Sequence, residues 1–416
     1  MNRMLYVYKC MPNKLHNGWR AWVIFLLFAG MLLSLFVSRA ALSITIILFV
    51  LVSCLHGKYR QQWRAFLFSP VCVGMSLLFL LPFISGAWSD DKQTWWQLVQ
   101  IKLPLLLLPV AFASPITLSP RMWEGLVYIL VLLVVAGSLW SIGHYASDPA
   151  AAEQEYLQAK TLLTPLKNDH VRFSWLVSAT ILLAGWLAFQ KRQEQKIVAA
   201  LLGLAALWLA VYLHILAVRT GLFSLYGMLL ACTAWLIFRK PRYGISLLVF
   251  LIALPLLAWL LLPTFRNRVK YIRYDYAWFS KGAYLQGGND ALRVISLKAG
   301  WHLLGNQPWR GTGFGDIKKE TDAWYAAEYP QMKEEEKLYP ANEWLVYGAG
   351  CGWPGVILFT VAMLLPFFTP VTNKGPWWLL NATAAFSFLF DTGLEVQYGV
   401  FLYAILVLWC WKWWRR

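Results

Sequence analysis

The chain alternates long apolar runs with short polar connections, and one polar interruption is far larger than the rest. Apolar runs of 17 or more residues recur along most of its length, and roughly 17–25 such residues in a helix cross a bilayer core of about 30 Å. The pattern predicts spans at about 21–37, 41–55, 66–86, 97–114, 122–142, 171–190, 197–216, 221–238, 244–263, 343–369, 376–391 and 397–412. The expected fold is an all-α polytopic membrane protein of about twelve transmembrane helices. Continuous apolar runs exclude a β-barrel, whose strands alternate. The first run lacks a small-residue cleavage site and leads into another span, so no cleavable signal peptide is expected. The expected division is helices one to nine in 1–263, a loop domain in 264–342, and helices ten to twelve in 343–416.

The large interruption, Thr264 to Gly355 with its re-entry into the apolar region, holds ten of the 20 Asp and Glu residues. Aqueous chemistry is expected there. Asn289-Asp290 is suited to cap a helix through ALRVISLKAGWHLL. Leu292, Ile295, Ala299 and Leu303 fall on one face of it, so the helix packs along the membrane surface. Arg293 sits in its first turn, where an anion is favoured. GTGFGDI (Gly311 to Ile317) superficially resembles a phosphate-cradling loop, but it follows no strand and reads better as a tight turn. Glu334 to Glu336 reads as a solvated helix face. In the re-entry YPANEWLVYGAGCGWPGV, Pro340 ends what precedes it and Asn342 caps a helix starting at Glu343. Gly348, Gly350, Gly352, Pro354 and Gly355 interrupt that helix. Such a break lines a cavity or marks close packing through small residues.

Composition agrees with the pattern. Of 416 residues 59% are hydrophobic and 14% charged, with a mean hydropathy of +0.52, where soluble domains carry about a quarter charged residues. The net charge of +17 divides by topology. Arg3, Lys9, Lys14 and Arg20, then HGKYRQQWR, QKRQEQK, FRKPRYG, TNKG and KWWRR, fall on alternate connections. The positive-inside rule makes these cytoplasmic, both termini included, and puts the long loop outside. The charge is thereby assigned to anchoring among membrane lipids, and no nucleic acid partner is expected. None of the six cysteines (Cys10, Cys54, Cys72, Cys232, Cys351 and Cys410) sits in an outer loop, and none has metal-site spacing. No metal or other cofactor is expected.

Ionisable groups in or beside spans are costly and point to function. Lys102, His144, His170, Arg172, Arg219, Asp391 and Glu395 all fall at the outer side in this topology, with Glu124 alone at the cytoplasmic side. Taken singly, each reads as an interfacial residue whose charge reaches water. Their convergence on one face suits an anionic ligand such as a phosphate, which Arg holds through paired hydrogen bonds.

Three segments in this order carry a resemblance. They are an Arg at the outer end of a span (LAVRTGLFSL), an Arg in a loop helix before a Gly-rich turn (ALRVISLKAGWHLLGNQPWRGTGFG), and the P-x-N-E-W-L re-entry. Together with the twelve-span layout, they resemble the O-antigen ligase family from about residue 97 onward. The resemblance implies a metal-independent, inverting transfer of a glycan from an undecaprenyl-pyrophosphate carrier. The implied acceptor is a lipid A core sugar, and the implied location is the periplasmic face of the inner membrane. Arg219 and Arg293 match the family arginines expected to hold the pyrophosphate, as catalytic and substrate-binding residues. Lys102, His170, Arg172 and Asn342 are the further substrate-binding candidates. The family has a general-base histidine immediately before the Asn of the re-entry, and this chain has Ala341 there. Either a histidine was replaced, or another base serves, His170 first and Glu343 second. A polymerase of the same architecture and a lipid-linked glycan transporter are the alternatives. Trp324, Tyr325 and Tyr329 are candidates for contacting the acceptor.

Overall fold

A computed structural model describes residues 18–157, 161–280 and 289–415. The basic N-terminal residues Arg3, Lys9 and Lys14, together with Cys10, lie outside them. The described chain is helical: α1 (Gly18–Val37), α2 (Arg39–Cys54), α3 (Tyr59–Leu67), α4 (Pro70–Ser85), α5 (Lys92–Lys102), α6 (Pro104–Ala113), α7 (Pro120–Ser147), α8 (Pro149–Leu157), α9 (Pro165–Asn168), α10 (His170–Lys191), α11 (Lys196–Leu216), α12 (Arg219–Arg239) and α13 (Pro241–Leu261). There follow α14 (Pro263–Phe279), α15 (Asn289–Asn306), α16 (Ile317–Glu328), α17 (Glu343–Leu364), α18 (Lys374–Phe388) and α19 (Gln397–Trp414).

Each expected span corresponds to a helix, and the expected count of twelve crossings is not confirmed. Among the described residues, eight helices are long and apolar enough to cross a membrane, or nine counting a bent pair. α5 and α6 form one of the eight, joined through Leu103. Three of the remaining helices are bent or short. α2 stops at Cys54 and the chain turns by 116° into α3. α4 has 16 residues and α18 has 15, about 24 and 22 Å at 1.5 Å per residue. Proline at the first position of α4, α6, α7 and α13 sets helix starts the hydropathy pattern had blurred.

The core runs through the bundle, with α19 at its centre. From Tyr398 to Trp411 this helix is buried on every side, as expected for a helix that is apolar all round. The loop domain has its own small core. Leu292, Ile295 and Ala299 of α15 pack with Tyr325 of α16 and Met332, so the spacing read from the sequence does mark a buried face. α15 lies against α14, α16 and α17.

The Gly-rich turn is a clamp. Gly311 and Gly313 have φ of +70° and +89°, which glycine adopts without strain. Thr312 and Gly313 donate their backbone N–H groups to the carbonyls of Ala349 and Gly350 at 2.7 and 3.0 Å. Phe314 and Gly315 donate theirs to the hydroxyls of Ser85 and Ser89. These amides are therefore occupied, in agreement with a tight turn rather than a phosphate cradle. The break in α17 falls at Gly352 (φ +67°), where the N–H of Trp353 bonds Pro308. A Cβ at Gly352 would meet the Pro308 carbonyl oxygen at 2.4 Å. Of the two readings of this break, the structure shows close packing: the clamp fills it.

Candidate functional site

The helix ends nearest the loop domain converge on the short α18–α19 connection, residues 389–396. α18 ends at Phe388, a 3₁₀ turn covers Gly393–Glu395, and α19 starts at Gln397. Four separate elements bind this connection through its backbone. The Asn342 side-chain amide donates to the Leu389 carbonyl at 3.0 Å, and Arg293 to that of Phe390 at 3.0 Å. Arg172 donates to Thr392 at 2.8 Å, and Lys102 to Leu394 at 2.8 Å. The Leu394 N–H in turn donates to the Glu343 carboxylate at 2.5 Å.

Charge pairs reinforce these bonds. Arg172 pairs with Asp391 at 2.8 Å and more loosely with Asp169 at 3.4 Å. Burial raises the Asp391 carboxyl above its ordinary value, although Arg172 and Arg293 pull it down. Asp169 also caps α10, accepting the Arg172 N–H. His170 opens the same helix, half-buried. Lys102 pairs with Glu395 at 2.5 Å and is fully enclosed. It also lies 5.2 Å from the Tyr347 ring centre and 5.5 Å from that of Phe314.

Arg219 reaches this centre through α15. It opens α12, and its two terminal nitrogens each meet one carboxylate oxygen of Asp290 at 2.5 Å. Its side chain retains 34% exposure. Asp290 is held in turn: its backbone N–H donates to Asp275 at 2.6 Å. Arg293 stands one turn further along α15, half-buried. At the next turn, the Ser296 hydroxyl accepts the backbone N–H of Ala341 at 3.1 Å. One helix thus lines up Arg219's partner, Arg293 and the anchor of Ala341. Asn342 caps α17, its side-chain oxygen accepting the Leu345 N–H at 3.1 Å.

The structure therefore brings Arg172, Arg293 and Asn342 to one connection and ties Arg219 to it. It treats other expected residues differently. Lys102 is shut inside the bundle and holds the connection, with no surface left for a ligand. Glu343 is also fully buried, and one carboxylate oxygen is taken by Leu394. Tyr325 is a core residue whose hydroxyl bonds Leu338, while Trp324 and Tyr329 pack beside it. His144 lies against the Trp140 ring on α7, and Glu124 pairs with Lys191 at 2.8 Å. The side chain of Asn289 lies outside the described residues.

Sequence reasoning missed Asp290 as the holder of Arg219 and the 389–396 connection as the meeting point. The only sequence signal for the second was its pair of acids at the edge of two spans. No group of His, Cys, Asp and Glu suited to a metal ion is present among the described residues. The five cysteines among those residues are free.

A family model described as O-antigen ligase matches residues 204–360. That range runs from α11 through Arg219, α15 and the clamp to beyond the break in α17. A comparison with curated proteins gives no match.

Proposed function

We propose, from the O-antigen ligase family match over residues 204–360, that the chain is a lipid-linked glycan transferase of lipopolysaccharide biosynthesis and follows that family's chemistry in detail. The donor is a glycan on undecaprenyl pyrophosphate, the acceptor a lipid A core sugar, and the site faces the periplasm. The acceptor hydroxyl attacks the anomeric carbon from the face opposite the leaving group. The bond to the pyrophosphate oxygen breaks, the configuration inverts and the hydroxyl proton passes to a base. Negative charge grows on the pyrophosphate as it leaves, and fixed guanidinium groups that meet it there lower the barrier. Arg219 and Arg293 take this role. Asp290 holds the Arg219 fork until donor arrives, and Arg172 and Asn342 fix the connection against which the donor lies.

The observation that carries this reading is the placement of Asp290, Arg293 and Ser296 on successive turns of α15, which brings Arg219 through Asp290, and Ala341 through Ser296, to the side of Arg293. The basic bundle end lies away from it, with Arg64, Lys412 and Arg415 across the bundle. That polarity supports a cytoplasmic position for the basic end and a periplasmic one for the site.

Ala341 has no proton-accepting group, and loss of a general base commonly costs about 10²–10⁴-fold in rate. The chain as it stands is then an impaired transferase, or one that uses His170. Glu343 is the weaker choice, being enclosed and already hydrogen-bonded. The test is transfer in vitro from undecaprenyl-pyrophosphate glycan to lipid A core, with this chain and Ala341→His side by side. Activity gained in Ala341→His supports the replaced-histidine reading, and equal activity in the two chains sinks it. Activity in neither, with donor bound, points to another acceptor, such as the second lipid-linked repeat unit a polymerase would use. No donor binding refutes the proposal.

A further inference from the structure

A polar cavity lies at the far end of the bundle. α19 leads from the 389–396 connection to it, and its 18 residues span about 27 Å. The cavity, about 530 Å³, is bounded by α3, the end of α6 and the end of α19. Gln61, Arg64, Phe68, Ser114, Lys412 and Arg415 are among its lining residues. Three of these are cations, and no acid lines the cavity. Among the described residues, none of the three cations forms an ion pair.

These cations are arranged to receive an anion. Lys412 gives one hydrogen bond to the Ser114 carbonyl at 2.6 Å, and an ammonium has three donors. Arg64 and Arg415 are exposed and lean over the Phe68 and Trp411 rings, 6.0 and 5.2 Å from the ring centres. The Ser114 residue is wholly buried, and its hydroxyl has no partner. A buried hydroxyl without a partner is costly.

α3 supplies the apolar half of the site. It buries Gln62 and Phe66, and Gln62 anchors it through a 2.8 Å bond to the Val110 carbonyl. Its other face exposes Tyr59, Trp63 and Leu67, and Phe68 at its end is 80% exposed. An amphipathic helix bent away from a span, with aromatic and basic residues outward, lies in the plane of a membrane interface. Phosphate chemistry and acyl-chain chemistry thus meet at one mouth. We propose that this cavity binds the phosphate headgroup of an anionic phospholipid from the adjoining leaflet, its acyl chains covering Phe68 and Leu67.

The test uses the full chain purified in mild detergent, with bound lipid counted by native mass spectrometry. The probes are phosphatidylglycerol, phosphatidylcholine and inorganic phosphate. Phosphatidylglycerol should saturate one site and phosphatidylcholine should bind at least about 5-fold more weakly. Arg64→Gln and Arg415→Gln should each weaken phosphatidylglycerol about 5-fold, the equivalent of about 1 kcal/mol per cation at an anionic lipid. Arg64→Lys should retain most of the binding. Both arginines are exposed, so unfolding transitions matching the parent chain will show that the variants are folded. Equal phosphatidylglycerol binding by the parent chain and the Arg64→Gln/Arg415→Gln double variant overturns the proposal. So does equal binding of the two lipids. Displacement of phosphatidylglycerol by low millimolar inorganic phosphate overturns the lipid assignment in favour of a soluble phosphate.

Discussion

Lys102→Met tests whether the buried charges hold the 389–396 connection in place. Lys102 is fully enclosed, and its ammonium serves both the Glu395 carboxylate at 2.5 Å and the Leu394 carbonyl at 2.8 Å. Methionine nearly preserves the volume, so little of the effect will come from a cavity. What remains is an orphaned carboxylate on Glu395, whose second oxygen already lacks a partner, and an orphaned carbonyl. Removing one member of a buried pair costs about 3–5 kcal/mol. Lys102→Met/Glu395→Leu removes both charges. A buried pair replaced by apolar groups is often neutral or better, which leaves the Leu394 carbonyl, about 1–3 kcal/mol. The double variant should therefore recover about 2 kcal/mol relative to the single. Denaturant unfolding of the purified chain in mild detergent measures this, if the parent transition is reversible. A double variant no more stable than Lys102→Met would refute the idea that the two charges act as a pair. A loss below about 1 kcal/mol in the single variant would refute the burial argument itself.

The other expected outcomes concern the clamp, the arginines and Asp391. Gly352→Ala puts a Cβ 2.4 Å from the Pro308 carbonyl oxygen at a positive φ, so it should destabilise by several times the about 1 kcal/mol of an ordinary left-handed residue; a thermal scan within 1 °C of the parent chain would contradict this. Arg219→Lys keeps the charge but loses the two-pronged contact with Asp290, and donor binding by Arg219→Lys should fall about 10-fold, read by titration with undecaprenyl pyrophosphate; unchanged affinity would remove Arg219 from the donor site. Burial raises the Asp391 carboxyl, and a group raised in the folded state contributes stability that is present below its unfolded value and lost as pH climbs through the folded one. The stability of the parent chain relative to Asp391→Asn should therefore decline as pH rises from about 4, followed by unfolding across a pH series; a flat difference would show that the carboxyl does not titrate in this range.

The sequence by itself determined the class, the helices and the packing face of α15, because each rests on a local period. Runs of apolar residues gave every helix of the bundle an approximate place. Asn342 before Glu343 gave the start of α17, and Leu292, Ile295 and Ala299 gave a buried stripe. The family likeness also rested on short local segments, and the family match over 204–360 agrees with it. Only the tertiary structure decided which charges face a ligand and which hold the frame. Lys102 and Arg172 look alike in sequence, each a cation near the end of a span. Lys102 is sealed against Glu395, 293 residues away, whereas Arg172 secures a connection 220 residues away at a partly open edge. Arg219 likewise finds its partner 71 residues later. Such pairings depend on how distant helix ends meet, and no local period records that. The length of α4, the bend after α2 and the clamp in the break of α17 were settled in the same way, by long-range packing acting on segments whose own propensity was merely apolar.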